Sequence, residues 1–76
     1  MIRKRYIDME YWERIKSLRE DNDLTQKNIA AYLNIAQNTY SQYENGKREI
    51  PIPILVKLCL YFNVSSDYIL GLSNKK

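Results

Sequence analysis

Residues 37–47 read QNTYSQYENGK, and this stretch decides how the rest of the chain is read. Tyr40 and Tyr43 stand three residues apart, so on a helix they share one face, while Gln37, Asn38 and Ser41 or Gln42 fall on the other. Gly46 tolerates the left-handed backbone that closes a helix, and the cations Lys47 and Arg48 follow it. The pattern predicts a short helix from Gln37 to the Asn45-Gly46 break, anchored by its tyrosines, with amides on its outer face. Taken alone, those amides fit either a solvated surface or a surface that reads hydrogen-bonding groups.

Working outward, the residues on both sides also read as helices. Upstream, Tyr11, Ile15 and Leu18 form an apolar stripe on a first helix that runs to about Glu20. After the break at residues 21–23, Thr25 is a good N-cap, and Leu24 and Ile29 are spaced as a hydrophobic staple. Ile29, Ala30 and Leu33 supply the buried side of this second helix. Only Asn34, Ile35 and Ala36 separate it from Gln37, and Ile35 can staple onto Tyr40. Downstream, Pro53 suits the first position of a fourth helix, whose Leu55, Val56, Leu58, Cys59 and Phe62 are expected to fill the core. Asn63 stops it. Val64, Ser65 and Ile69 repeat the cap and staple for a last short helix that ends near Gly71. No stretch alternates as a strand would, and two glycines and two prolines in 76 residues suit helices better than a turn-rich β fold.

The expected fold class is therefore all-α: one compact five-helix domain over residues 11–71, with a flexible basic segment before it (residues 1–10) and a short tail after it (72–76). Seventy-six residues lie near the lower limit for a self-sufficient core. The net charge of +3 and pI near 9.1 are mild, but the charge is unevenly spread. Residues 8–23 carry six acids against three bases, whereas Lys27, Lys47 and Arg48 face only Glu44 between residues 24 and 48. An acidic helix beside basic loops is compatible with a polyanionic partner on one face. Cys59 has no partner for a disulfide and no zinc-ligand spacing. The basic start is followed by charged residues instead of a signal peptide's apolar stretch, and the longest apolar run is too short to cross a bilayer. A reducing, cytoplasmic setting and no membrane association are expected.

Catalytic chemistry is not indicated. The chain has no histidine, so a serine nucleophile would lack its usual base. The paired carboxylates (Glu10 with Glu13; Glu20, Asp21 and Asp23) read as solvated charge. Gly46-Lys47 lacks the upstream glycine of a phosphate loop. No enzyme activity, cofactor, metal or small-molecule ligand is expected. What the spacing does match is a helix-turn-helix, two short helices with a tight joint braced by a first helix. For such a unit to read DNA, the second helix must carry donors and acceptors at its start, because base edges in the major groove present distinct patterns of both. Groups nearby must also grip phosphates. Gln37, Asn38, Ser41 and Gln42 fit the first role. Gln26 and Lys27, at the open start of the preceding helix, and Asn45, Lys47 and Arg48 beyond Gly46 fit the second.

Two longer stretches, RIKSLREDNDLTQKNIAAYLNIAQNTYSQYENGKREIP (residues 14–51) and LVKLCLYFNVSSDYILG (55–71), resemble the Cro/repressor-type (Xre) helix-turn-helix family of phage and bacterial regulators. The resemblance rests on Leu24-Thr25-Gln26, Ile29-Ala30, the block from Tyr40 to Arg48, Pro51, and Asn63-Val64-Ser65 with Asp67-Tyr68. It implies a sequence-specific regulator of transcription, a repressor in the first reading, that binds double-stranded DNA as a homodimer on a near-palindromic operator. By matching position it implies base reading by Gln37, Asn38 and Gln42, phosphate contacts by Gln26, Asn45 and Lys47, with Arg48 in addition, and an ion pair between Arg19 and Glu44. With the fifth helix reaching residue 71, a stand-alone regulator is expected instead of a ligand-sensing one. Four positions depart from the family. Ala36 stands where a capping Ser or Thr is usual, Asn34 where glycine is usual, and Ile52 and Ile54 where polar residues are usual. The two isoleucines are open to two readings, a dimer surface or ordinary core. Residues 1–9 lie outside the match and read as a minor-groove arm or a frayed end. The rival from another class is a protein-interaction module, such as an antitoxin or anti-repressor partner, that keeps the fold without reading DNA. A non-specific nucleic-acid binder is the third reading, disfavoured by the small net charge.

Overall fold

Five helices account for the regular structure in the computed structural model, which describes residues 9–76: α1 (Tyr11–Asp21), α2 (Gln26–Leu33), α3 (Gln37–Glu44), α4 (Ile52–Phe62) and α5 (Ser66–Leu70). The arm or frayed end read at the N-terminus lies almost wholly outside the described residues. Among those residues there is no strand, in agreement with the all-α expectation.

Every helix closes in the same way. A residue with positive φ follows it, at Asp23, Asn34, Gly46, Asn63 and Gly71, and the next backbone N–H turns back to a carbonyl in the last turn. These bonds run from Leu24 to Arg19, Ile35 to Ala30, Lys47 to Gln42, Val64 to Cys59 and Leu72 to Asp67, at 2.8–3.1 Å. Each such closure satisfies carbonyls that the helix leaves open and reverses the chain within a few residues. The connections are short for this reason. Three of the five positions are asparagine or aspartate, whose short polar side chains bear the left-handed conformation better than most.

The starts differ more. The Thr25 hydroxyl accepts the Asn28 N–H at 3.0 Å and the Asn28 side chain accepts the Thr25 N–H at 3.0 Å, a reciprocal cap for α2. The Ser65 hydroxyl caps α5 by accepting from the Tyr68 N–H at 3.0 Å. Ala36, at the start of α3, has the extended backbone of a cap residue and no side chain to cap with. Helix α4 begins at Ile52 with Pro51 as its cap residue, which puts Pro53 at the second helical position instead of the first. The N–H that proline lacks is one the first turn cannot use in either place.

The core is built from Ile15 and Leu18 of α1, Ile29, Ala30 and Leu33 of α2, Tyr40 and Tyr43 of α3, Leu55 and Leu58 of α4, and Tyr68 and Ile69 of α5. Tyr11, Leu24, Ile35, Ile54, Cys59, Phe62 and Val64 pack against it partly buried. Ile54 therefore belongs to the core layer. Val56, expected in the core, is instead about half exposed, because the rotation that turns Leu55 and Leu58 inward carries Val56 to the outer side of α4. Helix α3 packs on α2 and α1, and α5 on α1 and α4. Beyond α5 the chain folds back, with the Ser65 N–H donating to the Lys76 carbonyl at 2.8 Å.

Candidate nucleic-acid interface

Helix α3 is seated by what lies under it. Its inner face carries Tyr40, Tyr43 and Glu44, all buried. A buried carboxylate is costly unless it is paired and hydrogen-bonded, and Glu44 is both. The Arg19 Nε donates to Oε2 at 2.7 Å, Arg19 Nη2 to Oε1 at 3.2 Å, and Gln26 Nε2 to Oε1 at 3.1 Å. A third Arg19 donor, Nη1, meets the Leu24 carbonyl at 2.7 Å. One guanidinium thus ties the end of α3 to α1 and to the residue before the α2 cap. Burial alone would push the Glu44 carboxyl up, but Arg19, the neighbouring Tyr40 hydroxyl and Gln26 as hydrogen-bonding groups, with the charge of Arg19, outweigh it, leaving Glu44 below the usual carboxylate range. The hydrogen bond to Glu44 likewise raises Arg19. Burial, and then the adjacent Glu44 carboxylate as a hydrogen-bonding group and as a charge, hold the Tyr40 hydroxyl far above its ordinary value.

The outer face is polar. Gln37 and Asn38, in the first turn, are exposed, and Ser41 and Gln42, one turn on, are partly so. With no side chain capping α3, the N–H groups of its first turn are left to outside acceptors. Asn45 is exposed and its Nδ2 donates to the Ser41 hydroxyl at 3.3 Å. Lys27 at the start of α2 and Lys47 and Arg48 past Gly46 are exposed cations. Because Glu44 is buried against Arg19, its charge does not offset theirs. Gln26 stands apart from the other residues read as phosphate contacts, since one donor of its amide is already engaged by Glu44.

Two residues join this region that the sequence reading did not single out. The Trp12 ring lies flat against Gly46: a Cβ at that glycine would sit 2.6 Å from Trp12 Cε2, and φ there is +70°. Trp12 therefore backs the turn that presents Asn45, Lys47 and Arg48. The signal was available, because Trp12 precedes Arg19 by seven residues, two helical turns along the same face. Arg14 is the other. It is buried, donates from Nη1 to the Tyr68 carbonyl at 3.3 Å, and lies 5.9 Å from the Tyr68 ring centroid, joining α1 to α5. No His, Cys, Asp and Glu cluster among the described residues is arranged to hold a metal ion, and no described helix is long and apolar enough to cross a membrane.

This arrangement recurs in known proteins. The sequence profile of the helix-turn-helix family HTH_3 matches residues 15–69. The HTH-type transcriptional regulator ImmR of Bacillus subtilis is 41% identical over 63 residues, which cover 83% of this chain and 50% of ImmR. YobD, an uncharacterized HTH-type transcriptional regulator of the same organism, is 38% identical over 84% of this chain and 57% of its own length. The antitoxin PezA of Streptococcus pneumoniae is 42% identical over 75% of this chain and 36% of PezA. Among solved structures, a transcriptional regulator from Listeria innocua superposes with a TM-score of 0.78 at 29% identity, over 82% of this chain and 58% of that one. The chain spans about half the length of the curated relatives ImmR and YobD.

Proposed function

The chain belongs to the HTH_3 helix-turn-helix family of Cro/C1-type (Xre) regulators, and from that premise we propose that it regulates transcription, as a repressor, by reading double-stranded DNA through α3. The observation that carries this reading is the two-sided character of α3. A helix of eight residues holds its inner face by two buried tyrosines and a satisfied ion pair, and offers amides at an uncapped first turn. Glutamine and asparagine can each donate to and accept from adenine in one bidentate contact. Gln37, Asn38, Ser41 and Gln42 read base edges. Lys27, Asn45, Lys47 and Arg48 hold phosphates, and Gln26 contributes through the half of its amide that Glu44 leaves open. The active species is a homodimer, whose two α3 helices enter successive major grooves about 34 Å apart on a near-palindromic operator.

Selection of genomic fragments by the purified chain, followed by salt titration, tests this. One enriched palindromic sequence is expected, bound with an affinity that falls log-linearly with salt. Gln37→Ala should weaken that site by about 1–3 kcal/mol at one base-pair position of each half and leave melting unchanged. Recovery of a tight protein partner with no enriched DNA would instead favour the interaction-module reading, the one that the name of the antitoxin relative suggests.

A further inference from the structure

We propose that Trp12 is a further DNA contact, its indole N–H donating to a backbone phosphate beside those that Asn45 and Lys47 hold. The proposal rests on the DNA reading above and adds to it a residue of α1. Gly46 stands between Asn45 and Lys47 and is exposed as they are, but it has no side chain to offer. The indole fills that place. A Cβ at Gly46 would lie 2.6 Å from Cε2 of Trp12 and 2.9 Å from both Cζ2 and Nε1. The part of the ring that carries the donor therefore stands where residue 46 would present a side chain, in one row with Asn45 and Lys47. Trp12 is partly exposed, and its Nε1–H reaches solvent and meets no acceptor among the described residues.

Two contacts fix the ring. Tyr11, itself packed against the core, meets the indole edge to face with centroids 5.1 Å apart, and the Gly46 backbone lies against the donor side. A donor set in place before binding loses little freedom when it binds. Its chemistry selects the partner. An indole N–H donates and cannot accept; phosphate oxygens accept, whereas base edges mix donors with acceptors. Lys47 and Arg48 draw the same partner to this turn. The nearby acids do not oppose it: Glu44 is buried against Arg19, and the Glu13 carboxylate is occupied in accepting the Glu10 N–H at 3.1 Å. Trp12 differs from the cations beside it in one respect. It is neutral, so its contact adds affinity without neutralising a phosphate and releasing a counterion.

Trp12 is the single tryptophan of the chain, so its emission reports on this one place. The probe is a mixed-sequence duplex two helical turns long, at low salt, because a phosphate contact carries no sequence information. Binding is expected to shield Trp12 from the neutral quencher acrylamide. Trp12→Phe keeps a ring against Gly46 and removes the donor. Measured well below its melting point, it should bind about 2–10-fold more weakly, the worth of one neutral hydrogen bond. The slope of log affinity against log salt should stay that of the wild type. A Trp12→Phe variant that binds as tightly as the wild type overturns the proposal. So does a weaker one whose salt slope also drops by about one, as expected for loss of a cation, since the indole would then act only by holding Lys47 in place. A duplex bound with Trp12 as open to acrylamide as in the free chain overturns the contact and leaves the DNA reading standing. A chain that retards no duplex sinks the DNA reading and this contact together.

Discussion

Helices α3 and α4 hide and show opposite things. Helix α3 buries two tyrosines and a carboxylate and exposes amides; α4 buries leucines and exposes isoleucine, valine and leucine. A helix whose outer face is polar at an uncapped start suits a hydrogen-bonding partner. One whose outer face is apolar has no hydrogen bonds to offer such a partner. The inner faces differ as much. Helix α4 is held by packing that tolerates small adjustments, whereas α3 is held by a charge that must be matched. The two should therefore respond in opposite ways to substitution: α3 should fail from beneath, and α4 should adjust.

The largest expected effect tests the ground under α3. Arg19→Ala leaves the Glu44 carboxylate buried without its cation, which should cost about 3–5 kcal/mol in denaturant unfolding. Loss of DNA binding would follow from loss of the fold. Unchanged stability would show that Glu44 finds water or another donor in solution, and the contrast with α4 would fall. The same node gives a pH signature. Glu44 is held below the usual carboxylate range in the folded chain, so the unfolded chain takes up that proton at a higher pH than the folded one. Its contribution is present above the ordinary value of about 4.3 and is lost as the pH falls through the lower folded value. Thermal melts across this acid range should show the loss in the wild type and much less of it in Arg19→Ala.

Next in size is the turn that ends α3. Gly46→Ala combines a left-handed residue, at about 1–2 kcal/mol, with a methyl group driven into Trp12, at about 1–3 kcal/mol. Calorimetry of Gly46→Ala, Trp12→Ala and the double variant separates these parts. The double variant should recover the steric part, beyond additivity, and keep the backbone part. Strict additivity would mean that the indole moves aside freely and does not back the turn. Smaller still is Lys47→Ala, which should leave melting alone, weaken all DNA sequences alike and lower the salt slope by about one.

How legible all this was depended on which physics was local. The caps at Thr25 and Ser65 and the stops at Asn34, Gly46, Asn63 and Gly71 are each set within a few residues, so five helices could be read from spacing alone. The tyrosine face of α3 was equally plain, because three-residue spacing fixes a shared side. The direction in which α4 faces was not, because it is apolar nearly all round. Periodicity cannot say which apolar residues point inward, and Val56 was misassigned for that reason. Trp12 against Gly46 joins residues 34 positions apart, and its two-turn spacing from Arg19 was the one sign of it in the sequence. Arg14 against Tyr68 joins residues 54 apart, and only the packing of α1 across the bundle brings them together. The placement of Arg19 beside Glu44 came from family resemblance, not from any pattern within the chain. The donation from Gln26 was not foreseen at all, because a surface glutamine carries no local sign of a buried partner.

The smallest expected effect lies closest to that node. The Tyr40 hydroxyl is buried beside the Glu44 carboxylate with no well-aligned hydrogen bond to any described residue, and burial, then its hydrogen-bonding proximity to Glu44 and the charge there, push its ionisation far up. A buried hydroxyl left unpartnered costs about 1–3 kcal/mol, so removing it relieves a penalty instead of breaking a bond. The oxygen also fills space, and the small void it leaves works in the other direction. Tyr40→Phe should therefore keep the melting free energy within about 1 kcal/mol of the wild type. A loss of about 2 kcal/mol or more would mean that the hydroxyl donates to Glu44 in solution, charge-assisted bonds being worth roughly that much. Glu44 would then be held from α3 itself as well as from α1 and α2, and Arg19→Ala should cost less than expected of a carboxylate held mainly by its cation. Measuring the two variants together decides whether α3 is seated by one guanidinium or by a shared network.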